Sequence, residues 1–244
     1  RNRKKAKISR PGLGMMSLHF EHQKTRYGSK ERFLALIFLI MGLLVVVPVL
    51  KGSVAFQLSL DIFLSIIFIV MAYSITHRKS HVFMGTLLAT LMLGFLWSHY
   101  FFPNPLFIAI GKLLSFLFVL MVVANILWFV FRSREVTGEV IYAAIVAYLL
   151  MALMWAFLYE FLELTEPTSF NVSLDVGQRF RFVFFYYSSV TITTLGYGDV
   201  TPVTDIARSV SILEAVVGQL YMVVIVAWLV GTYKPNEEPT GRPD

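Results

Sequence analysis

The sequence contains no cysteine and few charged residues, and both scarcities exclude whole classes of protein. Without cysteine there is no disulfide framework, no thiol redox centre and no cysteine-ligated metal. Charged residues make up only 15% of the 244 positions, whereas hydrophobic residues make up 57% and are gathered into long blocks. A soluble core does not need apolar runs of about 20 residues, but a helix that crosses a bilayer does. The composition therefore indicates a membrane protein.

Motifs for covalent chemistry and for cofactor binding are also missing. The sequence has no nucleophile, base and orienting acid at a plausible spacing, no glycine-rich phosphate loop and no internal repeat. We therefore expect no enzymatic activity, no cofactor and no nucleic-acid partner. The basic first 32 residues lack a short apolar stretch followed by a small-residue cleavage site, so we do not expect a removed signal peptide.

Apolar runs, broken by charge, proline or polar clusters, predict six transmembrane helices. They cover residues 33–50, 54–76, 82–102, 106–131, 137–162 and 205–233. Between the last two helices, residues 163–204 are too polar at their start to span a membrane and too apolar around Phe180–Tyr187 to lie free in water. We expect this segment to be re-entrant, meaning that it enters and leaves the membrane on the same side. The predicted fold class is an all-α membrane protein.

Lysine and arginine are concentrated in the predicted tails and in two loops. Most of the 21 basic residues lie before residue 33, after the second and fourth helices, or after the sixth. Cytoplasmic segments carry the excess of these residues, so we expect both termini to lie on the cytoplasmic side of the membrane. The membrane is expected to be the plasma membrane, which is the inner membrane if the source is bacterial. This topology signal explains the basic tail, and binding of anionic lipid headgroups is the alternative. The predicted domains are a basic N-terminal tail (1–32), a four-helix domain (33–131), a domain around the re-entrant segment (132–233) and a short cytoplasmic C-terminal tail (234–244).

A glycine-containing motif stands near the end of the re-entrant segment. Residues 188–202 read SSVTITTLGYGDVTP, which resembles the T-V-G-Y-G signature of potassium channels. The resembling residues are Thr193, Thr194, Leu195, Gly196, Tyr197, Gly198 and Asp199, with Leu195 in place of the usual valine. The resemblance implies a selectivity filter, in which rings of backbone carbonyls and a threonine hydroxyl replace the water shell of K⁺. K⁺ is then the permeant ligand, bound at Thr194, Leu195, Gly196 and Tyr197.

Two further expectations follow from this resemblance. Carbonyls that point at one axis require backbone angles that other residues rarely adopt, so glycine is needed at Gly196 and Gly198. One loop makes a quarter of each carbonyl ring and the chain contains one such loop, so we expect a homotetramer, with three identical subunits as partners. The expected fold then has a pore helix, roughly Asp175–Ile192, and the selectivity-filter loop between helices five and six.

Three residues of this pore helix are expected to support the filter. Potassium channels usually have two tryptophans where this chain has Tyr186 and Tyr187, and by resemblance the two hydroxyls bond near Asp199 and Tyr197. Val190 stands where some family members place a buried carboxylate, so filter inactivation is not inferred from those relatives.

The sixth predicted helix resembles the pore-lining helix of the same family. Gly218 is expected either to be a gating hinge or to pack beside the pore helix, since a residue without a side chain permits both. Glu214, an inner-helix acid one turn earlier, is expected either to be a satisfied buried carboxyl or to act in conduction or gating. An intracellular constriction is expected around Val224, Ala227, Trp228 and Gly231.

The fourth predicted helix lacks the charges of a voltage sensor. Between Pro105 and Phe131 it offers only Lys112, and one charge moving through the field yields about 2.3 kcal/mol per 100 mV. Four subunits then give about 9 kcal/mol, against the tens that steep gating requires, so we expect no strong voltage gating. Asp61 and Lys112 are expected to pair. Acidic residues including Glu160 are expected near the outer mouth, where they either concentrate cations or form an ordinary solvated loop.

Two other readings of the sequence remain open. One is a subunit of a potassium transport system, although such pores use four linked, degenerate filter loops in one chain. The other is a non-conducting membrane sensor or scaffold with a vestigial pore. Flux through purified protein in liposomes separates these readings from a channel.

Overall fold

The computed structural model describes residues 31–46, 53–74, 79–98, 100–101, 104–133, 135–172 and 180–232. The helices are α1 (31–46), α2 (Ser53–Ser74), α3 (Lys79–Ser98), α4 (Pro105–Arg132), α5 (Gly138–Thr165), α6 (Phe180–Ile192) and α7 (Asp205–Thr232). Most of the predicted N-terminal tail, the C-terminal tail 234–244 and the predicted start of the pore helix at residues 175–179 lie outside the described residues. Residues 31 and 32, which the sequence assigned to the tail, are already helical.

Among the described residues, α4, α5 and α7 are long and apolar enough to cross a membrane. Each has 28 residues, and at about 1.5 Å per residue such a helix exceeds the roughly 30 Å hydrocarbon core. Their observed ends differ from the predicted ones by less than one helical turn. Shorter apolar stretches lie within α2, α3 and α6. These helices identify a mostly helical membrane protein.

The third helix departs most from its predicted bounds of 82–102. It begins at Lys79, which the sequence placed in a cytoplasmic loop, and ends at Ser98. At the end of α3 the Ser98 hydroxyl donates to the Phe95 carbonyl at 2.8 Å, and Phe101 N donates to the Ser98 carbonyl at 3.0 Å. The apolar run continues past Ser98, but this turn ends the helix, because a serine side chain competes locally with the helical hydrogen bonds.

Helix α5 lies at the centre of the described fold. It packs against α4 on one side and against α6 and α7 on the other. Every residue from Leu150 to Phe157 is buried, as expected for a helix that is apolar on all faces. Alanines at 143, 144 and 147 are also buried, and small residues let neighbouring backbones approach closely in membrane proteins.

A buried ion pair joins α4 to α5. The Lys112 ammonium contacts the Glu160 carboxylate and lies 5.5 Å from the centroid of the Phe157 ring. Both charged side chains are buried. The prediction that Glu160 belongs to an acidic cluster at the outer mouth was therefore wrong, because its charge is paired inside the protein. The other member of the predicted Asp61–Lys112 pair, Asp61, accepts a hydrogen bond from the Tyr100 hydroxyl at 3.0 Å.

A short two-stranded ribbon lies beside residues 193–199. Strand β1 (Phe170–Val172) pairs antiparallel with strand β2 (Val200–Pro202). Next to the ribbon, Val203 N donates to the Ser169 carbonyl at 2.7 Å. The segment before α6 is thereby joined to the segment after the filter motif. The sequence did not predict this ribbon, because three-residue strands are too short to show an alternating pattern.

Candidate functional site

The backbone of the filter motif alternates in handedness. Thr194, Gly196 and Gly198 have φ of 62°, 58° and 77°, whereas Leu195 and Tyr197 between them are not among the positive-φ residues. The left-handed region costs a residue with a Cβ about 1–2 kcal/mol, so glycine suits two of these positions and Thr194 is strained. In ordinary extended backbone successive carbonyls point to opposite sides, and a regular change of handedness turns them to the same side. The φ values of the motif are those expected where carbonyl oxygens form a row on one side.

The last turn of α6 holds the start of the motif. The Val190 carbonyl accepts from Leu195 N at 3.0 Å and from Gly196 N at 3.5 Å, while Thr194 N donates to the Thr191 carbonyl at 3.0 Å. Carbonyls at a helix C-terminus lack partners within the helix, so here the motif supplies them. The sequence singled out Val190 for its side-chain position, but the structure shows a contact made by its backbone.

The two tyrosines of α6 make different contacts. The Tyr186 hydroxyl donates to Asp199 Oδ2 at 2.6 Å. Burial and this hydrogen bond raise the pKa of Tyr186 to about 12, so the hydroxyl keeps its proton at neutral pH and acts as the donor. The Tyr187 hydroxyl donates to Ser211 Oγ in α7 at 2.8 Å and does not bond the backbone near Tyr197 among the contacts described. Tyr186 therefore braces the end of the motif, whereas Tyr187 fixes α6 to α7.

Glu214 of α7 is fully buried behind the motif. The Tyr159 hydroxyl donates to one carboxyl oxygen, and Ser188 Oγ lies 2.5 Å from the other. Ser188 also lies 2.7 Å from the Ala152 carbonyl. The carboxyl therefore connects α5, α6 and α7, which agrees with the structural alternative for this residue. Within the described residues the Glu214 side chain has no exposed surface.

Gly218 lies where α7 crosses the end of α6. A Cβ built at this position meets Ile192 Cγ1 at 2.7 Å and the Ile192 carbonyl oxygen at 2.8 Å. The same carbonyl accepts from the Tyr148 hydroxyl at 3.0 Å, and the Tyr148 ring stacks on Tyr221 with centroids 5.5 Å apart. Sequence reasoning missed both tyrosines, because no local pattern signals a hydroxyl that reaches another helix. The absence of a side chain at Gly218 is needed for this close packing.

The motif and one face of α7 are uncovered within a single chain. Leu195 is 59% exposed and Tyr197 is 67% exposed. A Cβ built at Gly196 or Gly198 meets no atom within 4 Å. Exposed side chains on α7 include Ile212, Leu213, Val216, Leu220, Met222, Val223, Val224, Val226 and Val230. In a helix long and apolar enough to cross a membrane, such a surface contacts either lipid or another chain.

The predicted constriction residues lie on the later turns of α7. Val224, Ala227 and Gly231 are exposed, and Trp228 is half-buried. The Trp228 ring contacts Phe131 at the end of α4, with centroids 5.9 Å apart in an edge-to-face arrangement. The part of the chain that the structure describes contains no cluster of His, Cys, Asp and Glu suited to a metal ion.

The second half of the chain is similar to known proteins. Residues 135–233 match a family model described as ion channel. The match supports an ion channel. Ion channels perform no covalent chemistry, so this protein is not an enzyme. Protein LctB of Bacillus caldotenax is 35% identical in an alignment of 83 residues that covers 32% of this chain, and the chain spans 61% of the length of LctB. No solved structure matches the chain.

Proposed function

We propose that four copies of this chain form a potassium-selective channel that conducts K⁺ passively through a central pore. The alternating handedness at Thr194, Gly196 and Gly198 carries the proposal, because a row of carbonyls on one side is the chemistry that replaces the water shell of K⁺. The ion-channel match over residues 135–233 supports the same reading. In this proposal K⁺ binds between successive oxygens of Thr194, Leu195, Gly196 and Tyr197.

The uncovered surfaces support the tetramer. One row of carbonyls contacts a central ion from one side only, so a ring needs further copies related by rotation. The exposed Leu195 and Tyr197 side chains and part of the exposed surface of α7 are then covered by neighbouring subunits, and the rest of that surface lines the central pathway. Apolar side chains that lie between subunits are removed from water, as in the interfaces of other homo-oligomers.

The proposed layout has six spans, α1–α5 and α7, with α6 as a re-entrant pore helix. Both termini lie on the cytoplasmic side of the plasma membrane. The basic N-terminal tail either binds anionic lipid headgroups or serves only as a topology signal. The state of Lys112 is an argument against strong voltage gating. It is the single basic residue between Pro105 and Phe131, and it is buried against Glu160.

Potassium flux into liposomes containing the purified protein tests the proposal. We expect barium-sensitive flux that favours K⁺ over Na⁺, and we expect Gly196→Ala to abolish the preference. Alanine at φ of 58° costs about 1–2 kcal/mol per chain, or about 4–8 kcal/mol for four copies. Gly94→Ala is the matched control, because no atom lies within 4 Å of its built Cβ and its φ is ordinary.

The outcomes separate the alternatives. Equal K⁺ and Na⁺ flux through the wild type supports an ion channel but contradicts potassium selectivity. Absence of flux at every voltage and lipid composition, in protein that is folded and tetrameric, supports the sensor or scaffold. Monomeric protein contradicts the tetramer directly.

A further inference from the structure

Gln219 is a polar side chain on an otherwise apolar, uncovered face of α7. Between Ile212 and Val230 every other exposed side chain on this helix is apolar. The Gln219 amide makes no hydrogen bond within the part of the chain that the structure describes. A free amide carries two donors and an acceptor, and leaving them without partners in hydrocarbon is costly. The amide therefore requires water or a polar partner outside its own chain.

The position of Gln219 along the helix is fixed by its neighbour. Gly218 contacts Ile192, and the two residues after Ile192 are Thr193 and Thr194, where the filter motif begins. Gln219 therefore lies at the level of the inner end of the filter. A helix turns about 100° per residue, so Gln219 points away from the α6 contact, in agreement with its exposure.

Gln219 also begins a stripe along α7. Met222, Val226 and Val230 follow at helical spacing, and all three are exposed. Only the end of the stripe nearest the filter is polar. A water molecule bound to a cation directs its hydrogens outward, and the amide oxygen of glutamine accepts such hydrogen bonds. The remaining stripe offers only the weak thioether acceptor of Met222.

We infer that Gln219 faces a water-filled pathway at the inner end of the filter, where four copies form a ring that hydrogen-bonds the water shell of a cation about to enter. This inference rests on the proposed function, since it requires a tetramer and a conducting filter. The ligand is a hydrated monovalent cation.

The absence of cysteine makes the orientation directly measurable, because Gln219→Cys carries the only thiol in the chain. The purified variant in liposomes is treated on both membrane faces with a permanently charged methanethiosulfonate. Mass spectrometry then measures the rate at which the thiol is modified. We expect Gln219→Cys to react at least about tenfold faster than Leu117→Cys, whose position is exposed on α4 and faces lipid or a subunit. Val203→Cys, in the loop after β2, is the water-accessible control.

A conductance measurement tests the role in permeation. We expect Gln219→Leu to lower single-channel K⁺ current about two- to tenfold, the range set by loss of about one net hydrogen bond to the hydrated cation. Gln219→Asn keeps the amide and is expected to retain most of the current. Equal currents in the leucine and wild-type channels would contradict the proposed contact with the hydrated cation.

A negative result in the labelling experiment and a negative result in the flux experiment have different meanings. If Gln219→Cys reacts no faster than Leu117→Cys in folded protein, the inference is overturned even where the wild type conducts K⁺. If Gln219→Cys reacts rapidly but wild-type protein shows no flux, the aqueous orientation stands and the conducting function is overturned. If Gln219→Cys does not fold, Met222→Cys on the same stripe replaces it in the same assay, and its failure to react overturns the inference.

Discussion

Replacing Gly218 with alanine distinguishes close packing from hinge bending in the inner helix. The added Cβ would lie 2.7 Å from Ile192 Cγ1 and 2.8 Å from the Ile192 carbonyl oxygen, whereas carbon atoms in favourable contact are about 3.5–4.0 Å apart. The Ile192 side chain can rotate away, but its carbonyl cannot, because it belongs to α6 and accepts a hydrogen bond from Tyr148. Alanine therefore forces α7 and the end of α6 apart.

The magnitude follows from two opposing effects. Overpacking in a close-packed interior costs about 1–3 kcal/mol, while replacing glycine by alanine within a helix gains about 1 kcal/mol. With a backbone atom as the obstacle, the cost falls at the upper end, so we expect a net loss of about 2 kcal/mol per chain. For four independent copies this is about 8 kcal/mol. The proposed filter begins directly after Ile192, so weaker K⁺ over Na⁺ selectivity should accompany the loss.

Thermal dissociation of the detergent-solubilised tetramer measures the stability, and liposome flux measures the selectivity. Gly94→Ala provides the control for helix propensity, because its built Cβ meets nothing within 4 Å, and it should be as stable as the wild type or more so. A Gly218→Ala tetramer that matches the wild type in both stability and selectivity would refute the packing argument. If such a tetramer differs only in open probability, the hinge explanation is supported.

Three further substitutions test contacts around the site. Tyr186→Phe removes the donor to Asp199, a bond to a charged group worth about 1.5–3 kcal/mol when well formed; we expect K⁺ current to decline faster during sustained opening, and an unchanged time course contradicts the bracing role. Glu214→Ala leaves the buried Tyr159 hydroxyl without this acceptor and removes one of the two contacts of Ser188, and it should destabilise the fold by about 2–4 kcal/mol in thermal unfolding, with Glu214→Gln losing less; equal losses contradict the network. Lys112→Met isolates the buried Glu160 carboxylate and should cost about 3–5 kcal/mol, whereas Lys112→Met with Glu160→Gln should recover most of that loss.

The sequence predicts the long helices well because their signal is local. In α4, α5 and α7 the apolar run ends where the helix ends, so the predicted and observed bounds agree within a turn. The end of α3 was predicted less well, because the turn at Ser98 depends on one serine side chain within an apolar run. The filter motif was recognisable for the same local reason: glycine at alternating positions reports the backbone angles directly.

Contacts between distant segments could not be predicted in this way. A lysine on α4 and a glutamate on α5 give no sequence signal that they meet, so Glu160 was placed in solvent although it pairs with Lys112. The hydroxyl of Tyr148 reaches Ile192 from another helix for reasons visible only once α5 and α6 are packed. For the same reason the sequence could not decide between a hinge and a packing role for Gly218. It does not show which atoms of another helix occupy the space beside that glycine.

The β1–β2 ribbon has a mechanical consequence. Because Phe170–Val172 is hydrogen-bonded to Val200–Pro202, the segment between the two strands has its two ends joined to each other. A displacement of the first turn of α7, which begins soon after β2 at Asp205, is therefore passed to both ends of that segment. Residues 193–199 lie inside this closed loop, and the contact of Gly218 with Ile192 joins the same loop to the middle of α7.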